Sequence, residues 1–210
     1  MGGSYSHSPL AQYDVASIVS STGLSASNVR QLHQRYCQLC LRAPATVAFS
    51  CRTASRRAET SVPPSAAEAI PELSSNPLAE RIVAAMFPGS ADTLTFPEFC
   101  SAVAVFRPAT DSDSRLAKVQ FVYRMLAIEG NEFLTAFELC SLLQMMLVGN
   151  RLPLEQVQSI ACRALSEVDK DKHNRITNKE FLEAMEGLDV EQRCPFHSIS
   201  ASSRSALIPN

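Results

Sequence analysis

A short skeleton that occurs three times in register constrains this chain more than any other feature. The segments "TLTFPEF", "EFLTAFEL" and "RITNKEF" each place an apolar residue (Leu94, Leu134, Ile176) directly before a threonine (Thr95, Thr135, Thr177). Three positions after each threonine comes a glutamate (Glu98, Glu138, Glu180), and then another apolar residue (Phe99, Leu139, Phe181). The copies are separated by 40 and 42 residues. A repeat of this period marks a supersecondary unit that cannot bury its apolar face alone and must pack against its neighbours. The flanking sequence has helical spacing, with segments at about 97–106, 115–126, 136–148, 154–168 and 178–187. Only Leu94, Leu134 and Ile176 read as short extended pieces, so the fold class is all-α.

The skeleton is the second half of a twelve-residue EF-hand loop. The apolar residue at position 8 pairs with its twin in a neighbouring hand, and the glutamate at position 12 opens the exiting helix and can give calcium two oxygens. The expected architecture is therefore EF-hand helix-loop-helix pairs in two lobes, with a disordered insertion and tails.

The first halves of the three loops differ. "FPGSADTLTFPE" (87–98) has no carboxylate at positions 1, 3 or 5 and reads as a silent scaffold. "AIEGNEFLTAFE" (127–138) has Ala127 at position 1, leaving Glu129, Asn131 and Glu138, too few for a cation that takes six to eight oxygens. "DKDKHNRITNKE" (169–180) is the best preserved: Asp169, Asp171 and Glu180 supply carboxylates, Arg175 its backbone carbonyl, and Thr177 can hold a water. His173 at position 5 offers nitrogen, which suits a hard cation poorly. Asn174, where glycine is usual, must take a left-handed backbone. Lys170, Lys172, Arg175 and Lys179 outnumber the three acids, so the loop is formally +1 before any metal arrives. The expectation is one calcium site at most, weak, on the order of 10⁻⁴ M or poorer. A metal-free structural loop is the alternative.

Elsewhere the chain supplies boundaries. Residues 1–10 read as a flexible arm and 11–41 as N-terminal helices, with stripes Val15, Ile18, Val19 and Val29, Leu32, Tyr36, Leu39. Residues 42–69 are rich in Ala, Ser, Thr and Pro without sustained period and read as a loop or disordered insertion. The second hand falls at 70–106, with Asn76 as N-cap and Pro77 in the first turn. The third falls at 115–148, the fourth at 154–190, and 191–210 is a disordered tail. A net charge of −2 argues against bulk attraction to nucleic acid. No apolar run is long enough to span a bilayer, and no secretory signal is evident. Seven irregularly spaced cysteines then fit a reduced, cytoplasmic protein. "MGGSYS" fits the myristoylation pattern, with Gly2 as acceptor, although short Gly/Ser starts are also common without it. An acylated chain would be peripheral at membranes.

With these residues in view, the chain resembles the calcineurin B homologous proteins and, slightly less, calcineurin B. The matching segments are "AIPELSSNPLAERIVAAMFP", "LTFPEFCSAVAVFRP", "LLQMMLVGN", "SIACRALSEVDKDKHNRITNKEF" and "DVEQ". The resemblance covers roughly 2–41 and 69–193. It implies a myristoylated four-hand adaptor in which the last two hands bind calcium. It also implies a partner, the amphipathic juxtamembrane helix of a plasma-membrane sodium/proton exchanger, whose delivery and activity the adaptor supports. The alternative partner is a phosphatase catalytic subunit. This chain departs from the pattern in three places: no loop skeleton follows "LHQRYCQL", the third loop lacks its first acid, and the fourth keeps acids only at positions 1, 3 and 12.

Two further constellations bear on function. Cys37 and Cys40 form C-x-x-C with His33 four residues before Cys37. With no second pair, small buried thiols are favoured over a zinc or redox site, and no catalytic constellation is found. "LCSLLQMMLVGN" carries more apolar side chains than one core stripe needs. Leu142, Leu143, Met146 and Leu147 therefore read as a partner groove, with Val103 and Phe106 joining if the lobes align as in the family.

Overall fold

The computed structural model describes residues 10–42, 61–67, 70, 73, 76–87, 91–127, 133–147 and 152–188. The helices are α1 (Val15–Thr22), α2 (Ala26–Arg42), α3 (Pro64–Ala67), α4 (Ala79–Met86), α5 (Phe96–Ala104), α6 (Ser112–Leu126), α7 (Ala136–Met146), α8 (Leu154–Val168) and α9 (Asn178–Met185). Two short strands, β1 (Phe133–Thr135) and β2 (Arg175–Thr177), complete them. The fold is all-α with EF-hand pairing, as the repeat requires.

The described chain divides into two compact units. The first holds 10–73 and 91–107, the second 76–87 and 108–188, so the division runs through the second hand and leaves α4 and α5 in different units.

In the first unit, α1 is capped by Asp14, whose carboxylate accepts the amides of Ala16 and Ser17. It ends at Gly23, which sits at φ 65°, a left-handed conformation that costs glycine nothing. Tyr36, Phe96 and Phe99 are fully buried and pack as tilted and edge-on rings. The Tyr36 hydroxyl donates to the Leu94 carbonyl at 2.9 Å, and burial pushes its pKa up. Tyr36→Phe leaves that carbonyl with its second partner, the Val62 amide. The expected loss is therefore small, about 1 kcal/mol, read as a lower thermal midpoint.

The end of the 42–69 stretch corrects the expectation of a loop or disordered insertion. Val62 and Leu94 form an antiparallel bridge, amide to carbonyl at 2.9 and 2.8 Å. Val62 and Ala67 are fully buried, and α3 follows directly. Val62 thus occupies position 8 of a first hand, paired to Leu94 as Leu134 is paired to Ile176. Counting four residues on from Val62 reaches Ala66, where the other hands carry glutamate. The partner strand, not a recognisable loop, orders this segment.

In the second unit, β1 and β2 pair antiparallel in the register Phe133↔Thr177, Leu134↔Ile176 and Thr135↔Arg175. The Tyr123 hydroxyl donates to the Ile176 carbonyl at 3.1 Å, repeating the role of Tyr36 in the first unit. The buried Arg81 of α4 donates from Nη1 to the Leu126 carbonyl at 3.2 Å and from Nη2 to Ser141 Oγ at 3.1 Å. It thereby ties both flanks of the third loop to one side chain. Arg115 Nη2 donates to the carbonyls of Met185 and Leu188 at 2.8 and 2.9 Å, placing a cation at the negative end of α9. Helix α4 starts two residues later than its sequence cap suggests. Asn76 instead accepts the Leu78 amide at 2.9 Å and closes a turn before the helix.

Candidate metal centre and partner surface

The repeated Thr-x-x-Glu is a capping box in all three hands. Glu180 Oε2 accepts the Thr177 amide at 2.9 Å and the Thr177 hydroxyl at 2.7 Å, while the Glu180 amide donates back to Thr177 Oγ1. Glu138 and Thr135 repeat the arrangement, and Glu98 Oε2 likewise accepts the Thr95 amide and hydroxyl at 2.8 and 2.7 Å. The position-12 glutamate therefore starts its helix through its threonine as well as offering oxygens to the loop. This explains why the skeleton persists in loops that have lost their other ligands. Thr177, read from sequence as a holder of water, has its hydroxyl committed to this box.

The second oxygen of each glutamate separates the hands. Glu180 Oε1 reaches back to the start of the fourth loop and accepts the amides of Lys170 at 2.9 Å and Asp171 at 3.4 Å. Glu138 is 3% exposed, and its Oε1 is buried without a hydrogen-bond partner among the described residues. Glu129 and Asn131, the other acceptors expected in that loop, lie outside the described residues. Glu98 is exposed.

In the fourth loop, one oxygen each from Asp169, Asp171 and Glu180 lies within 4.8 Å of the others. These are the three carboxylates of the five ligands expected from sequence, and their chemistry fits a hard cation such as calcium. The loop's own amides hold these acids: Asn174 donates to Asp169 Oδ2 at 2.7 Å, and His173 to Asp169 Oδ1 and Asp171 Oδ1 at 3.3 and 3.1 Å. Asn174 takes the left-handed backbone predicted for it, with φ 56°. Lys172, at φ 59°, does so too, which nothing in its residue type signals.

His173 departs from the expected ligand list. Its Nδ1 lies 2.8 Å from Asp171 Oδ1, so the ring pairs with a ligand carboxylate instead of joining the cluster. That hydrogen bond is the main reason the Asp171 carboxyl is held below its usual range. The Thr177 backbone and hydroxyl do the same for Glu180. Lys170, at position 2, points to α9 and pairs with Glu183 at 2.6 Å, lowering the pKa of Glu183. One of the four loop bases is thereby neutralised locally. Another, Arg175, places its guanidinium 3.8 Å over the Phe133 ring.

The groove residues separate by burial. Val103 and Phe106 are buried in the first unit, and Leu142 is buried in the second. Leu143 and Leu147 are half-buried, and Met146 is 47% exposed. Sequence reasoning missed five exposed apolar residues in the same unit: Phe137 in the first turn of α7, 72% exposed, Leu154 and Ile160 on α8, 51% and 48% exposed, Leu152 just before α8 and Leu116 on α6. Phe137 holds position 11 of the third loop, and an apolar residue at the mouth of a helix was the available signal. Cys37 is buried and Cys40 half-buried. A His33 ring nitrogen is 3.8 Å from Cys37 Sγ, and among the described residues the one metal-ligating cluster is that of the fourth loop. Gly2 lies outside the described residues. Among those residues no helix is long and apolar enough to cross a membrane.

Bridged, capped helix-loop-helix units with one surviving carboxylate cluster define an EF-hand protein. No family model matches the sequence. It is similar to calcineurin B of Naegleria gruberi, with 32% identity over 124 residues, covering 59% of this chain and 68% of the relative. The chain belongs to the calcineurin B-like family of EF-hand proteins.

Proposed function

We propose that this chain is a non-catalytic regulatory adaptor that receives an amphipathic helix of its partner on α7 and α8, with weak calcium binding at Asp169, Asp171 and Glu180. The observation that carries the reading is exposed Met146 beside half-buried Leu143 and Leu147 at the end of α7, with exposed Leu154 and Ile160 on the adjoining α8. Single exposed apolar residues are ordinary, whereas neighbouring ones that no core absorbs suit a contact surface. An amphipathic helix fits such a surface through anchors at i, i+3, i+4 and i+7.

The resemblance to the calcineurin B homologous proteins favours the juxtamembrane helix of a sodium/proton exchanger as that partner. It also favours a cytoplasmic chain held at the membrane through acylated Gly2. A phosphatase catalytic subunit is the second reading, and the similarity to calcineurin B supports it. Binding of the full chain to an exchanger juxtamembrane peptide and, separately, to a phosphatase catalytic subunit decides between them. Met146→Glu is expected to weaken the true complex at least about tenfold, or 1.4 kcal/mol, because a charge replaces an adaptable apolar anchor. No binding to either partner, with or without calcium, overturns the reading.

A further inference from the structure

The Arg175 side chain lies over a ring that belongs to the other hand. Phe133 and Arg175 are both position 7 of their loops, and the register sets them diagonally across the Leu134↔Ile176 bridge. The guanidinium carbon is 3.8 Å from the ring centroid, and both residues are half-buried. Among the described residues the buried Arg175 Nε has no hydrogen-bond partner and no ion pair joins Arg175 to an acid. The ring face is therefore the compensating partner of this cation.

Position 7 gives an EF-hand loop its backbone carbonyl, and three constraints aim that carbonyl here. Asn174 precedes it in a left-handed conformation, Thr135 pairs with Arg175 across the strands, and the ring under the guanidinium fixes the side chain. The stack has a second consequence. It commits one of the four bases of a loop that has only three acids, so that charge cannot fold toward the carboxylates.

We propose that Phe133 is a positioning residue for the fourth loop, so that the third hand sets the cation affinity of a site to which it contributes no ligand. Loss of the ring releases the Arg175 backbone and its charge together, and both changes weaken a cation in the Asp169, Asp171, Glu180 cluster. The inference rests on the reading that this cluster takes calcium.

The test is an NMR-monitored calcium titration of the full chain, followed at the amides of 174–177, together with hydrogen exchange at 133–135 and 175–177. Phe133→Leu is expected to weaken calcium about three- to tenfold, and Phe133→Tyr to keep wild-type affinity because its ring face survives. In an Arg175→Met background, Phe133→Leu should change little further, a result that general loss of packing would not produce. Equal affinity of Phe133→Leu and wild type, or equal weakening in the Arg175→Met background, overturns the proposal. If the wild-type chain itself does not respond to millimolar calcium, the metal reading is what fails. Positioning is then read on exchange: faster exchange at 175–177 in Phe133→Leu, and not in Phe133→Tyr, supports it, and unchanged exchange overturns it.

Discussion

Glu180→Gln is expected to abolish the calcium-dependent rise in thermal stability while leaving the chain folded. The argument turns on the two jobs of one carboxylate. Its Oε2 closes the capping box with Thr177, and an amide oxygen can do the same. Its Oε1 accepts the amides of Lys170 and Asp171, and there an amide NH₂ would meet donors. The variant should therefore lose a little stability without metal, about 1 kcal/mol, and nearly all of its response to metal. For a site near 10⁻⁴ M, calcium at a hundred times that concentration stabilises the wild type by about 2.7 kcal/mol. At about 4–8 °C per kcal/mol for a unit of this size, the midpoint should rise by more than about 10 °C, and this is what Glu180→Gln removes. Glu138→Gln is the control: with Ala127 at position 1 of the third loop, the wild-type response should survive. A rise that persists in Glu180→Gln, or vanishes in Glu138→Gln, places the metal elsewhere.

Acid should erase the same response. Asp171, Glu180 and Glu183 all titrate below their ordinary values of 3.8, 4.5 and 4.5. A depressed carboxylate contributes above its unfolded pKa, and the contribution is lost as pH falls through the folded one. The calcium-dependent shift, followed by scanning calorimetry, should therefore be insensitive to these acids at neutral pH and disappear in the range below about pH 4. Lys170 and Lys179 face Glu183 and keep it charged until that point.

The hands that were legible in the sequence are those that kept the capping box. Apolar–Thr–x–x–Glu encodes a strand pair and a helix start together, so Leu94, Leu134 and Ile176 could be placed by inspection. The first hand was illegible because Pro63 replaces the threonine and Ala66 the glutamate. Only Val62 remains, and one valine in a Ser/Pro stretch has no signal until Leu94 is seen across from it. The carboxylates of the metal cluster were legible because their spacing is local. The His173–Asp171 pair and the Arg175–Phe133 stack were not, since residue identity does not say which way a side chain turns. Exposure of Phe137 was equally hidden, because a helical pattern shows which face is apolar but not whether a neighbour covers it.

His173→Asp is the change expected to convert this loop from a weak site into a competent one. The substitution acts on three quantities at once. It adds an oxygen ligand at position 5, where imidazole nitrogen serves a hard cation poorly. It frees Asp171 Oδ1 from a 2.8 Å contact with the ring. It also brings the loop from three acids against four bases to four against four. Because EF-hand affinity is tuned by ligand charge and rigidity, a gain of about ten- to a hundredfold is expected by calorimetric calcium titration. His173→Gln separates the contributions: it releases Asp171 without adding charge and should recover only a small part of the gain. Adding Asn174→Gly relieves a left-handed backbone at φ 56° that a side chain makes costly, by about 1 kcal/mol. Asp169 Oδ2 keeps the residue-174 amide as its donor in either case. If His173→Asp binds calcium no more tightly than the wild type, position 5 is not what limits the site. Lys172, which has no ion pair among the described residues, then becomes the group to neutralise.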